Sequence, residues 1–224
     1  MTKKEVVARI KEIGIIPSVR LSSAEDALFA AGAVARGGIP IVEVTMTVPG
    51  ALEAIQELSR QSPEIIVGAG SVFDAEIARR CLDAGAAFLT SPGFDREIVE
   101  FGLQRGVAVI PGALTPTEVL TAWKAGSDFV KIFPCSQMGG PHYITALRGP
   151  FPQIPLIAAG GVTQQTAADF IVAGAAAVGI GANLIKSDAI HAREPDWIRL
   201  LAQRFVKLVK DAQAVRDVRG HGLD

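Results

Sequence analysis

Lys124-Ala125-Gly126-Ser127-Asp128-Phe129-Val130-Lys131-Ile132-Phe133-Pro134 carries both signals from which the fold is read. Its first part ends a helix at glycine, the residue that accepts the left-handed conformation needed just past a helix C-terminus. Its second part is a short strand, apolar on both faces, bounded by Gly126 and closed by Pro134, as expected in a parallel sheet. One lysine interrupts it. Desolvation disfavours an ammonium in such surroundings, and a lysine held towards neutrality is a nucleophile for carbonyl carbon, the chemistry of Schiff-base enzymes. A structural lysine paired with a buried acid accounts for the strand equally well.

The same unit recurs on both sides. Helices stop at Gly37-Gly38, Gly85, Gly106, Gly126 and Gly174, and the steps from Gly85 to Gly106 to Gly126 are 21 and 20 residues. Gly38 to Gly85 and Gly126 to Gly174 span 47 and 48 residues, about two units each, so a short βα period runs through the chain. Eight strands are expected, over Ile15–Arg20, Ile39–Met46, Ile65–Gly70, Ala87–Ser91, Val107–Pro111, Phe129–Phe133, Leu156–Ala159 and Ala177–Ile180. Helix starts between them are marked at Ser22-Ser23, Pro49, Asp74, Asp95, Thr115-Pro116 and Thr163. Apolar spacing predicts a further helix over Lys3 to Ile13, and another from Pro195 to about Arg216 carrying Trp197, Leu200, Leu201, Phe205, Leu208 and Val209. The tail Gly220-His221-Gly222-Leu223-Asp224 is expected to fray. Eight alternating units in 224 residues give a compact α/β fold, a (β/α)8 TIM barrel with an N-terminal and a C-terminal helix, as one domain over residues 1–224. A doubly wound open sheet is the alternative, but it normally has fewer strands and a Gly-rich fingerprint after the first, which is absent here.

Composition narrows the function classes. The net charge is -1, which gives no electrostatic case for nucleic acid or an anionic membrane surface. The longest uncharged apolar stretch, Phe170 to Ile185, is broken by three glycines and is too short to span a bilayer. Cys81 and Cys135 lie far apart with no metal-ligand spacing, and the N-terminus has no apolar signal core; a reducing cytoplasm is expected, with no metal and no cofactor. His142, His191 and His221 are scattered. His142 follows Pro141 in the loop after Lys131 and reads best as a polar loop residue, and Cys135 has no base nearby to make it catalytic.

In a (β/α)8 barrel the chemistry sits at the C-terminal ends of the strands. This chain places Arg20 there, then Glu43 with Thr45, Gly70-Ser71, Ser91-Pro92, Pro111-Gly112, Lys131 with Phe133, Gly160-Gly161, and Gly181 with Asn183. Strand side chains alternate, so Glu43 and Thr45 share one face, as do Lys131 and Phe133. An acid and a lysine are thus expected to meet in one cavity. A structural salt bridge predicts that pair too, but not the surrounding arginine, serine and glycine turns, which read as an anion-binding mouth.

Ile41-Val42-Glu43-Val44-Thr45, Gly68-Ala69-Gly70-Ser71-Val72, Ser91-Pro92-Gly93, Ile110-Pro111-Gly112 and Val130-Lys131-Ile132-Phe133-Pro134 closely resemble the bacterial 2-keto-3-deoxy-6-phosphogluconate / 4-hydroxy-2-oxoglutarate aldolases. Gly160-Gly161-Val162 and Gly179-Ile180-Gly181 continue the likeness in order. The resemblance implies a class I aldolase acting on a small 2-keto acid in a homotrimer. It implies that Lys131 is the Schiff-base lysine and Glu43 the proton-transferring acid. Ser71 stands where the family usually has threonine and keeps a hydroxyl for the keto acid; Thr45, Pro92 and Phe133 belong to the same substrate site. Many members carry an arginine for the substrate carboxylate where this chain has Thr47, while others carry it at the end of strand one, where this chain has Arg20. Carboxylate binding is therefore expected at Arg20 through its planar fork. Where the family commonly has threonine before the Gly-Gly pair this chain has Ala159, and where it often has serine after strand eight it has Asn183. Phosphate binding is expected from the backbone N–H groups of Gly160, Gly161, Gly181 and a short helix near Asn183, with the Asn183 amide as donor. A phosphorylated gluconate-type substrate is the favoured expectation, 4-hydroxy-2-oxoglutarate an additional one, and 2-keto-3-deoxy-6-phosphogalactonate an alternative. A phosphosugar isomerase or decarboxylase using Lys131 without a covalent bond, and a non-catalytic phosphometabolite-binding barrel, are the readings from other classes.

Overall fold

A computed structural model describes residues 1–220; the rest of the tail expected to fray, with His221, lies outside them. The chain opens with α1 (Lys3–Ile13), followed by β1 (Ile15–Val19), α2 (Ala24–Arg36), β2 (Ile41–Thr45), α3 (Ala51–Gln61), β3 (Ile66–Gly70) and α4 (Ala75–Asp83). Then come β4 (Phe88–Thr90), α5 (Arg96–Gln104), β5 (Ala108–Ile110), β6 (Gly112–Ala113), α6 (Pro116–Lys124) and β7 (Val130–Ile132). A 3-10 turn (Ser136–Met138) leads to α7 (Pro141–Arg148), β8 (Leu156–Ala159), α8 (Ala167–Val172), β9 (Ala177–Ile180), α9 (Ser187–His191) and α10 (Pro195–Gly220).

Every pairing is parallel, in the order β5-β4-β3-β2-β1-β9-β8-β7-β6. The two ends of that order, β5 and β6, are separated in sequence by Pro111 alone. They form one bent stave, so the nine segments close into the eight-staved (β/α)8 barrel. The fifth strand, expected as one run to Pro111, is split because proline has no N–H to carry the ladder. On one side Ser91 N–H donates to the Ile110 carbonyl at 3.3 Å; on the other Lys131 N–H donates to the Pro111 carbonyl at 2.9 Å. Among the other strands, β8 and β9 span the expected residues, whereas β1, β2, β3, β4 and β7 are one to three residues shorter. Arg20 and Phe133 therefore stand just beyond their strands.

Helix starts follow the side-chain caps. Ser23, Asp74, Asp95 and Thr115 each accept a hydrogen bond from the backbone N–H three residues on, and Thr115 shares a capping box with Glu118. Two starts differ from expectation. The helix after Pro49 begins beyond Gly50 with no side-chain cap, and Thr163 opens a turn before α8, its N–H donating to Thr166 Oγ1 at 3.0 Å. Glycines 38, 85, 106, 126 and 174, just past their helices, all have positive φ.

Side chains facing the barrel and the inner faces of the helices form the core, with Phe88, Phe129, Phe170 and Phe205 its largest fully buried members. At the N-terminal ends of the strands, α1 is tied down by Lys3 to Asp128 at 3.0 Å, and Lys11 lies over the Phe129 ring. The last helix buries Ile198, Ala202, Phe205, Val209 and Ala212, whereas Trp197 and Leu200, read as part of its apolar face, are each 46% exposed. Among the described residues no helix is long and apolar enough to cross a membrane.

Candidate active site

Register brings the acid and the lysine together. Ser18 and Gly68 are the Cα partners of Glu43, so small residues flank it on both neighbouring strands, whereas Lys131 stands between Gly112 and Ile157. Gly70 makes room for the carboxylate: a Cβ there would stand 2.2 Å from Glu43 Oε1. Across the barrel, Lys131 Nζ lies 3.7 Å from Glu43 Oε2 and 5.6 Å from the centre of the Phe133 ring. Both side chains are largely buried, at 12% and 5% exposure, yet both line a cavity of about 320 Å3 at the C-terminal ends of the strands. That is the place where barrels of this kind do chemistry.

Every site residue named from the sequence lines this cavity except Thr45. Arg20 is exposed at its mouth, with no ion-pair partner among the described residues. Ser71, just past β3 on the same side, is buried at φ 55, and its hydroxyl makes no hydrogen bond among the described residues. A non-glycine residue in the left-handed region is a strained conformation that concentrates at functional sites. Thr45 has a different position. Its hydroxyl donates to the Val19 carbonyl at 3.1 Å and lies 2.7 Å from Thr47 Oγ1, tying β2 to the end of β1 beneath Arg20.

The wall after β8 and β9 is mainly glycine backbone. Gly160 and Gly161 have φ values of 86 and 82, and a Cβ on Gly161 would stand 2.6 Å from Ser136 Cβ in the 3-10 turn. Asn183 faces the cavity, but its amide donates to the Val162 carbonyl at 2.8 Å, so part of its donor capacity ties two loops together. The backbone beside it is a turn in which the Leu184 N–H meets the Gly181 carbonyl, and the short helix expected there, α9, begins only at Ser187. Ala159 lines the floor with no hydroxyl, while Ser187 adds one at the rim.

Sequence reasoning passed over Ser18, Ser187 and Ile185. Ser18 was within reach, since period two from Arg20 puts it on the same face of β1. His142 lies in the first turn of α7 rather than in a loop, is exposed, and does not line the cavity. Burial pushes the Cys135 thiol up to about 12, so it carries almost no thiolate at neutral pH. No group of three or more His, Cys, Asp and Glu able to hold a metal occurs among the described residues.

Residues 6–202 match the family described as KDPG and KHG aldolase. The chain is 31% identical over 200 residues to the 2-dehydro-3-deoxy-phosphogluconate aldolase of Treponema pallidum, covering 89% of this chain and 95% of that protein. A solved KDPG aldolase of Legionella pneumophila, with pyruvate captured as a covalent carbinolamine, superposes with a TM-score of 0.82 at 30% identity, covering 88% of this chain and 96% of the other. A designed protein cage made by fusing symmetric oligomeric domains contains a chain with a TM-score of 0.84 at 29% identity, covering 94% of this chain and 77% of that one. The protein belongs to the KDPG and KHG aldolase family and is an aldolase, a carbon–carbon lyase.

Proposed function

We propose that the protein is a class I aldolase that cleaves a 2-keto-3-deoxy-6-phospho sugar acid of the phosphogluconate type to pyruvate and glyceraldehyde 3-phosphate. The observation that carries this reading is Lys131 Nζ, 3.7 Å from Glu43 and lining a cavity whose mouth holds the unpaired Arg20. The neutral amine of Lys131 attacks the C2 ketone, and loss of water leaves an iminium. That cation accepts the electron pair of the C3–C4 bond as Glu43, directly or through one water, takes the proton of the C4 hydroxyl. The aldehyde departs; Glu43 returns the proton to C3 of the enamine, and hydrolysis frees pyruvate and the amine. Arg20 pairs with the substrate carboxylate through two parallel N–H bonds, and the Ser71 hydroxyl bonds the keto acid.

The phosphate faces the wall of Gly160, Gly161 and Gly181, where backbone donors approach closely without side chains. Ala159 and the partly engaged Asn183 leave fewer side-chain donors there. The same chemistry without phosphate would cleave 4-hydroxy-2-oxoglutarate to pyruvate and glyoxylate. Comparing kcat/KM for the two compounds tests the assignment: preference for the phosphorylated substrate is expected, and preference for the hydroxyglutarate would remove the phosphate site. The whole chain is proposed to act as one barrel domain in a cytoplasmic homotrimer. The likeness to an oligomeric building block and the exposed Phe73 beyond β3 support an assembly face, which sedimentation velocity tests directly.

A further inference from the structure

Glu43 has two oxygens, and the barrel gives them different neighbours. Oε2 faces Lys131 from β7, while Oε1 accepts a hydrogen bond from Ser18 Oγ on β1 at 3.3 Å. Beneath the carboxylate lies the bare backbone of Gly70 on β3. No other hydrogen bond or ion pair reaches this carboxylate from the described residues. The terminal torsion of a glutamate is broad and two-fold, so packing against Gly70 alone does not choose the plane of the carboxylate. Ser18 is the one hydrogen-bond donor to the carboxylate among the described residues, and it also lines the cavity.

We propose that Ser18 is a positioning residue for the proton transfers of Glu43, holding Oε1 so that Oε2 is presented to the reacting carbons beside Lys131. This rests on the proton-transfer role proposed for Glu43. A strand residue is suited to the task, because β1 is paired on both sides and sites built on strands hold their geometry better than sites on loops. Removing the hydroxyl leaves attack by Lys131 untouched but lets the carboxylate rotate away from productive geometry, and such misplacement costs rate rather than binding.

The test uses the full-length protein with pyruvate, whose methyl protons exchange with deuterated water through the enamine. In Ser18→Ala the saturated exchange rate should fall about five-fold, with the pyruvate KM within about two-fold of wild type. Borohydride trapping of pyruvate on Lys131 should be as complete as in wild type, which also reports a folded site. Ser18→Thr, which keeps the hydroxyl, should restore at least about half of the exchange rate. Wild-type exchange in Ser18→Ala, or a loss that Ser18→Thr does not recover, overturns the role of Ser18 while leaving the Schiff base standing. Failure of the wild-type protein to trap pyruvate on Lys131 overturns both.

Discussion

The two walls of the cavity are built from different materials. From β1 to β3 the wall is side chain: Ser18, Arg20, Glu43 and Ser71 present a hydroxyl, a guanidinium, a carboxylate and a second hydroxyl. From β8 onwards it is mainly glycine backbone, Gly160, Gly161 and Gly181, with Asn183 partly turned back onto Val162 and Ile185 and Ser187 at its edge. Lys131 stands between them. Side chains can discriminate atoms and move protons; main-chain N–H groups cradle an anion with little regard to its identity. On the proposed mechanism, proton transfer and recognition of the keto acid fall to the first wall, and tolerance for the far end of the substrate to the second.

Substitutions can break this division, beginning with the largest effect. Lys131→Met should lower cleavage by at least about 10^4-fold, because the covalent route is gone. Glu43 keeps Ser18 and an open cavity beside it, so stability towards urea should fall by less than about 3 kcal/mol. Glu43→Gln keeps the shape of the acid and loses its basicity. Pyruvate methyl exchange should drop by about 10^2 to 10^4-fold while borohydride trapping persists; unchanged exchange would assign proton transfer to another group. Arg20→Lys retains charge without the fork, and should raise the pyruvate KM by about ten-fold with a smaller change in kcat. An unaltered KM would move carboxylate recognition to the other wall.

The backbone wall responds differently. Gly161→Val introduces a side chain at φ 82 against Ser136, so it should destabilise the fold by about 1–3 kcal/mol and impair phosphorylated and unphosphorylated substrates together. Asn183→Ala is milder and more selective. It removes the tie to Val162 and should raise the KM only a few-fold, more for the phosphorylated substrate than for 4-hydroxy-2-oxoglutarate. Equal effects on both substrates would mean that the second wall does not face the phosphate.

The same division explains what the sequence made legible. Strands and helices were readable from glycine stops, caps and apolar runs, because each is a local signal. The break at Pro111 was not read, since whether a proline ends a strand or bends one depends on what pairs with each side of it. In the site, Lys131 and Glu43 stand out as charges in buried strands, and the arginine, serine and glycine turns around them distinguish the pair from a structural salt bridge. Thr45 does not line the cavity, because alternation predicts a face and not how high along the barrel a side chain stands; its hydroxyl donates to the Val19 carbonyl. Period two from Arg20 gives the face of Ser18, but its hydrogen bond to Glu43 depends on a register that exists only in three dimensions. The close approach of Ser136 to Gly161 is likewise a contact between two loops that no sequence period records.

The central claim is that Lys131 forms a covalent bond to the substrate carbonyl, and mass spectrometry after borohydride reduction tests it most directly. With pyruvate present, reduction should add one pyruvate-derived group to the peptide containing Lys131, and Lys131→Met should abolish the addition. An unmodified Lys131 peptide under conditions in which the enzyme turns over would contradict the covalent mechanism and leave Lys131 an electrostatic group.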